Sequence, residues 1–172
     1  MCRAACRRRR AAGGALRTFL EGLIDYAGLF PPARLELGPA LDEYLRAVEL
    51  DPRNFLAHNN AGSLLQDLDR PQEALAQFNA ATRLNPRFAE AHANAGFLLL
   101  RLAQPEAGAR ELTAAVESDP SLAMAHVALA EALARTGDVD RACREFADGI
   151  RRGGVPPASL RNALAARCAP ER

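Results

Sequence analysis

Apolar residues recur at helical spacing in short blocks, each closed by a proline. Ala57, Ala61, Leu64, Leu65 and Leu68 fall on one face of a helix. Asp69-Arg70-Pro71 then predicts a turn, with Pro71 at the first position of a second helix, where its missing N–H costs nothing. That helix carries Ala74, Leu75, Phe78, Ala81, Thr82 and Leu84, and Asn85-Pro86 stops it. The same block returns. Asp51-Pro52, Asn85-Pro86 and Asp119-Pro120 follow one another at 34 residues, as do His58, His92 and His126. Leu65, Leu99 and Leu133 keep the same period, and so do Phe78, Leu112 and Phe146. So many matches at one offset define an internal repeat of two helices per unit. In the third copy Gly137-Asp138 replaces the turn proline and predicts a left-handed helix end followed by an N-cap. Small residues at Gly62, Gly96 and Ala130, and at Ala74, Gly108 and Ala142, predict that paired helices approach closely.

This pattern resembles the tetratricopeptide repeat (TPR), with the small-residue, Leu, Ala, Phe-or-Leu and terminal Pro positions in family register over residues 53–152. Three units follow: 53–86, 87–120 and 121–152. His stands where the family has its early Trp, Gly108 replaces an Ala, and Arg151-Arg-Gly-Gly154 replaces the closing Pro of the third unit. The resemblance implies an all-α, TPR-type solenoid of helical hairpins with capping helices at both ends. Solenoid units bury their apolar faces mainly against neighbours. The third unit, lacking its closing proline and carrying Gly149 inside its second helix, is therefore expected to be the weakest.

The flanks are less regular. Residues 15–52 form an N-terminal segment in two parts. Leu16, Phe19, Leu20, Leu23, Ile24 and Ala27 predict an amphipathic helix that Gly28 and Pro31-Pro32 end. Pro39 to Leu50 then matches the second helix of a unit. The amphipathic helix is expected to pack as an irregular cap; the alternative is a docking helix with its apolar face open to a partner. Leu23-Ile-Asp-Tyr-Ala-Gly-Leu-Phe-Pro-Pro-Ala33 is similar to an N-terminal motif in some bacterial proteins and implies no function. In the C-terminal segment, 153–172, residues 157–167 have the apolar spacing of a helix that covers the last unit.

Composition narrows the chemistry. The 172 residues hold 22 basic and 21 acidic side chains, a net charge of +1, with 49% apolar residues and no Trp. That balance excludes a body built to grip nucleic acid. Every basic residue is Arg, which removes Schiff-base lysines and the P-loop lysine. Residues 1–20 carry six Arg and no acid, leaving −5 on the rest of the chain. Residues 1–14 read as a basic, solvated tail; nucleic-acid association through Arg3 to Arg10 is the alternative. Cys2, Cys6, Cys143 and Cys168 do not form a dense disulfide framework and read as reduced thiols. With no apolar run of about 20 residues and no clean signal-peptide core, the expected setting is the cytoplasm, away from membranes.

No catalytic constellation, cofactor loop or metal set emerges. Successive repeat positions lie about 10 Å apart, too far for His58, His92 and His126 to share one zinc; their reading is structural. The functional candidates come from the resemblance, in which the first helix of each unit lines a concave, peptide-binding groove. Asn60 and Asn94 occupy the position that forms an asparagine ladder in peptide-holding members, with Ala128 in the third copy. An Asn amide both donates and accepts, so it can pair with any peptide backbone. The neighbouring groove positions are Asn59, Ser63, Glu90, Phe97, Arg101, Met124, Val127, Glu131 and Arg135, with an apolar centre around Phe97, Met124 and Val127. The family's dicarboxylate clamp needs Lys and is excluded. The reading is a non-enzymatic interaction scaffold that binds a peptide segment or protein surface. An Arg-tail nucleic-acid adaptor and a non-catalytic accessory subunit of an enzyme are the alternatives.

Overall fold

The computed structural model describes residues 34–165 together with Arg167 and Cys168. The Arg-rich tail and the amphipathic helix over residues 16–27 lie outside the described residues. The chain divides into two units, Met1–Pro39 and Ala40–Arg172. In the first, the described residues are the opening turns of a helix; the second holds everything discussed below.

The described residues form eight helices and no strand. They are α1 (Arg34–Leu50), α2 (Phe55–Asp67), α3 (Pro71–Leu84), α4 (Ala89–Arg101), α5 (Pro105–Ser118), α6 (Ala123–Thr136), α7 (Val139–Arg151) and α8 (Ala158–Ala165). From α2 through α7 neighbouring helices in the chain pack on one another, α2 also meets α4, and α4 meets α6. The first helices of the repeats therefore line up along one side, with α3, α5 and α7 behind them.

Local chemistry sets the boundaries. Pro71 and Pro105 open α3 and α5, and the Asn54 and Asp138 side chains cap α2 and α7 by accepting from Ala57 N and Arg141 N. The turn inside each hairpin places one residue in the left-handed region: Asp69, Ala103 and Gly137, at φ 60°, 57° and 93°. Gly137 suits that conformation, whereas Ala103 holds it against a cost of about 1–2 kcal/mol. Nothing in the periodic pattern marks Ala103 as strained.

Two apolar clusters fill the interior. One joins Leu41, Ala61, Leu65, Ala74, Phe78, Ala95 and Leu98. The other runs from Leu100 and Leu112 through Leu129 and Leu133 to Leu160 and Leu164 of α8. Side chains this small need helices that nearly touch. At the α4–α5 crossing a Cβ added to Gly96 would sit 2.5 Å from Leu112 Cγ, and one added to Gly108 would sit 3.2 Å from the Gly96 carbonyl oxygen.

Two expectations are corrected. Gly149 is not a weak point of the last repeat. It is buried, and a Cβ there would meet Val127 Cγ2 at 2.8 Å and the Val127 nitrogen at 3.1 Å. Its missing side chain is what lets α7 lie on α6. Nor are all the cysteines free: Cys143 of α7 and Cys168 after α8 form a disulfide, with Cα atoms 5.4 Å apart. The pair, 25 residues apart, was hidden because no Cys recurs at the repeat period: Cys143 stands at the register of Leu75 and Ala109, and Cys168 lies beyond the repeats.

Candidate functional site

The three histidines stand on the first helices and explain how each hairpin closes. In every unit Nδ1 meets a side chain of the second helix: Gln77 at 2.7 Å, Glu111 at 2.8 Å and Glu145 at 2.7 Å. Nε2 faces the carbonyl of the proline that precedes the unit: Pro52, Pro86 and Pro120, at 3.3, 3.2 and 3.1 Å. Each imidazole thus ties the first helix to the second and to the entering turn. The Glu111 carboxylate raises the His92 pKa above the ordinary histidine value by accepting from Nδ1; burial opposes this, and the Pro86 carbonyl adds to it. Gln77, Glu111 and Glu145 keep the 34-residue period. The sequence therefore held the signal for these partners, unread.

The predicted groove residues fall into three sets. Asn59 and Asn94 bind each other, Asn94 Nδ2 donating to Asn59 Oδ1 at 3.0 Å, so the pair bridges α2 and α4. Ser63 donates to the Asn59 carbonyl at 3.2 Å, while Asn60 is half-buried beside this bridge and Glu90 is exposed on α4. Arg135 bridges the next two first helices, donating to the Leu100 carbonyl at 3.1 Å, with Glu131 at 3.8 Å. It is a tie between repeats as much as a surface cation.

The third set comes together. Phe97, Arg101, Met124, Val127 and Glu131 line one open cavity of about 370 Å³, joined by Leu100, Ala128 and Pro157. Val127, Ala128 and Leu100 are buried and make its floor, Phe97 makes a wall, and Met124 stands at the rim, 48% exposed. Arg101 and Glu131 put one charge of each sign on the edge. A second hollow of about 290 Å³, around Ala93 and Leu122, shares Phe97 and Met124 with it. Ala128, which lacks the amide of its counterparts Asn60 and Asn94, supplies apolar floor instead. Pro157 was invisible to sequence reasoning. It comes from the connection between α7 and α8, outside the repeat, and reaches the cavity through tertiary packing alone. No described helix is long and apolar enough to cross a membrane.

The comparisons agree with this architecture. A family model of the tetratricopeptide repeat matches residues 60–102 and 94–154, and a second matches residues 43–76. The chain belongs to the tetratricopeptide repeat family. Among solved structures it is similar to YrrB, described as a TPR protein with an unusual peptide-binding site. The two share 28% identity and a TM-score of 0.63 over 76% of this chain and 66% of that one. It is also similar to MamA, at 19% identity and a TM-score of 0.68 over 78% of this chain and 79% of that one. A third neighbour is TTC0263, a TPR protein of Thermus thermophilus, at 21% identity and a TM-score of 0.57 over 76% of this chain and 72% of that one. Against another MamA structure and against YrrB, the chain spans 64% and 66% of the neighbour's length. Comparison with curated protein sequences gives no match.

Proposed function

We propose that this chain is a non-catalytic interaction scaffold that takes an extended peptide segment along α2, α4 and α6 and anchors one apolar side chain of it in the Phe97–Val127 cavity. The observation that carries the reading is that cavity. It has an apolar floor, lies between the first helices of successive repeats, and carries Arg101 and Glu131 at its edge to orient a polar backbone or neighbouring charges. The likeness to a solved TPR protein with a peptide-binding site supports the same reading. Asn60 and the second N–H of Asn94 are the groups that would meet peptide backbone on the far side of Phe97.

The cytoplasmic expectation drew on the lack of a clean signal-peptide core and on reading the cysteines as reduced thiols, and the Cys143–Cys168 pair removes the second support. The Arg-rich residues 3–10, on which nucleic-acid binding would depend, lie outside the described residues and do not enter the proposal.

Selection from a random peptide display library tests it. Peptides with one large apolar residue at a fixed position should be enriched. Phe97→Ala should weaken the selected peptide about 10- to 100-fold, the equivalent of one well-buried side chain. No enrichment over an unrelated helical protein, or equal binding by Phe97→Ala, overturns the reading.

A further inference from the structure

The cavity's least expected wall, Pro157, belongs to a strap that runs from the end of α7 to Cys168. Its course is dictated residue by residue. Gly153 turns it with φ 88°, and Gly154 donates its N–H to the Gly149 carbonyl at 2.8 Å. Gly154 lies so close to α6 that an added Cβ would sit 2.9 Å from Val127 Cγ2 and 3.0 Å from the Ala123 carbonyl oxygen. Val127 and Pro157 both line the cavity, so the strap and the cavity floor touch directly. Beyond Pro157, α8 buries Leu160 and Leu164 in the cluster that contains Leu129, Leu133 and Ala142. The disulfide then fastens the far end of the strap to α7.

We infer that the Cys143–Cys168 disulfide is a redox latch on the strap, and that its state sets whether the candidate groove keeps its Pro157 wall. The inference rests on the groove reading for its functional meaning, though the latch itself is a property of the chain alone. Three observations support it. Cys143 and Cys168 are only half-buried, so a reductant can reach them. The helix that the latch secures is 8 residues long, well under the roughly 12–15 at which a helix begins to hold its shape without tertiary support. The strap is held by the buried Pro156, Leu160 and Leu164, the Gly154 seat and the crosslink, and among the described residues the crosslink is its one covalent tie beyond the chain itself.

The switching step is thiol–disulfide exchange with a dithiol reductant. A reductant thiolate attacks one Sγ and the Sγ–Sγ bond breaks. The mixed disulfide is then resolved by the second reductant thiol. Cys143 and Cys168 each gain one electron and one proton and end as thiols, while the reductant loses two electrons and closes to its own disulfide. With the ring opened, α8 lifts about 100-fold more readily, and each opening takes Pro157 from the cavity and uncovers the apolar face of α6 and α7 beneath Leu160 and Leu164.

Hydrogen exchange on the full chain, with and without dithiothreitol, tests this without any ligand. In the oxidised chain residues 158–165 should be protected. On reduction their exchange should accelerate by about 100-fold, the order expected for opening a loop of this size. Residues 123–131 should follow, and 71–84 should not change. Cys143→Ser should exchange like the reduced chain under both conditions. Should that variant lose its helical circular dichroism, the reduced wild type supplies the same comparison. Equal protection of 158–165 in both states overturns the latch, as does ready alkylation of both thiols in chain kept under oxidising conditions. Opening of 158–165 without a response at 123–131 overturns its link to the groove. Peptide selection on the oxidised chain reads the groove separately, so a latch that fails and a groove that fails give different results.

Discussion

Each histidine spends both ring nitrogens inside the fold, and the partner on Nδ1 differs between repeats. At His92 both neighbours, the Glu111 carboxylate and the Pro86 carbonyl, are acceptors. Satisfying both requires a proton on each nitrogen, in line with the raised pKa. At His58 the partner is instead an amide, Gln77 Oε1 standing 2.7 Å from Nδ1. Because the folded-state pKa of His92 is raised, its contribution to stability is full below the unfolded value of about 6.5 and is lost as pH rises through the folded value. Glu111→Gln should therefore cost thermal stability at about pH 6 and much less at about pH 8.5. Melting curves of both proteins at the two pH values check this, and a difference independent of pH contradicts it. Ala103 teaches a different lesson at this scale. Its left-handed φ of 57° comes from its place in the hairpin turn, where the sibling positions are Asp69 and Gly137, and an Ala gives no hint of it.

Among the elements, α7 shows how packing overrules propensity. Helix propensity alone would have Gly149→Ala gain about 1 kcal/mol. The structure reverses the sign, because the new methyl would meet Val127 Cγ2 at 2.8 Å and the α6 backbone nitrogen at 3.1 Å. A clash with backbone cannot be relieved by a rotamer change, and overpacking of this kind costs about 1–3 kcal/mol. Gly149→Ala should thus lower the urea midpoint, while Arg144→Ala, at an exposed position of the same helix, should leave it nearly unchanged. A rise in the midpoint for Gly149→Ala would restore the propensity argument. The same reasoning gives Gly108 a purpose: its departure from the family's Ala lets α5 meet the Gly96 carbonyl at the crossing with α4.

For the whole molecule, stability runs along the solenoid as a series of neighbour contacts, and the C-terminal end is closed by α8 rather than by another repeat. Truncation after Gly154 removes Leu160 and Leu164, each worth about 1.5–3 kcal/mol when fully buried. It also removes the crosslink, worth about 3 kcal/mol for a loop of this length. The loss should stay local. Residues 139–151 should exchange amide hydrogens well before 71–84, and the truncated chain should bind a hydrophobic dye that the full chain does not. A truncated chain that melts in one step at the temperature of the full chain would show that α8 adds nothing to the last repeat.

Periodic features were legible from the sequence, and contacts outside the period were not. The 34-residue spacing of Asp-Pro, His and Leu positions determined the helical hairpins and their order. Helix spacing, proline and capping residues act within a few positions of themselves and need no knowledge of the fold. The period also placed Phe97, Met124, Val127, Arg101 and Glu131 near one another, because residues at equivalent repeat positions must share a face. Three features were decided only by tertiary structure: the Cys143–Cys168 bond, the approach of Pro157 to the cavity, and the need for glycine at 149. The first two join the last repeat to a strap that no other unit has, and Gly149 answers to Val127 and Ala123 across the α6–α7 packing of that one repeat, so no repetition announces any of them. Asn94 belongs with them. Its register marked it as a groove amide, but a side chain's partner is chosen by what stands opposite it in space, and there Asn59 accepts its N–H at 3.0 Å.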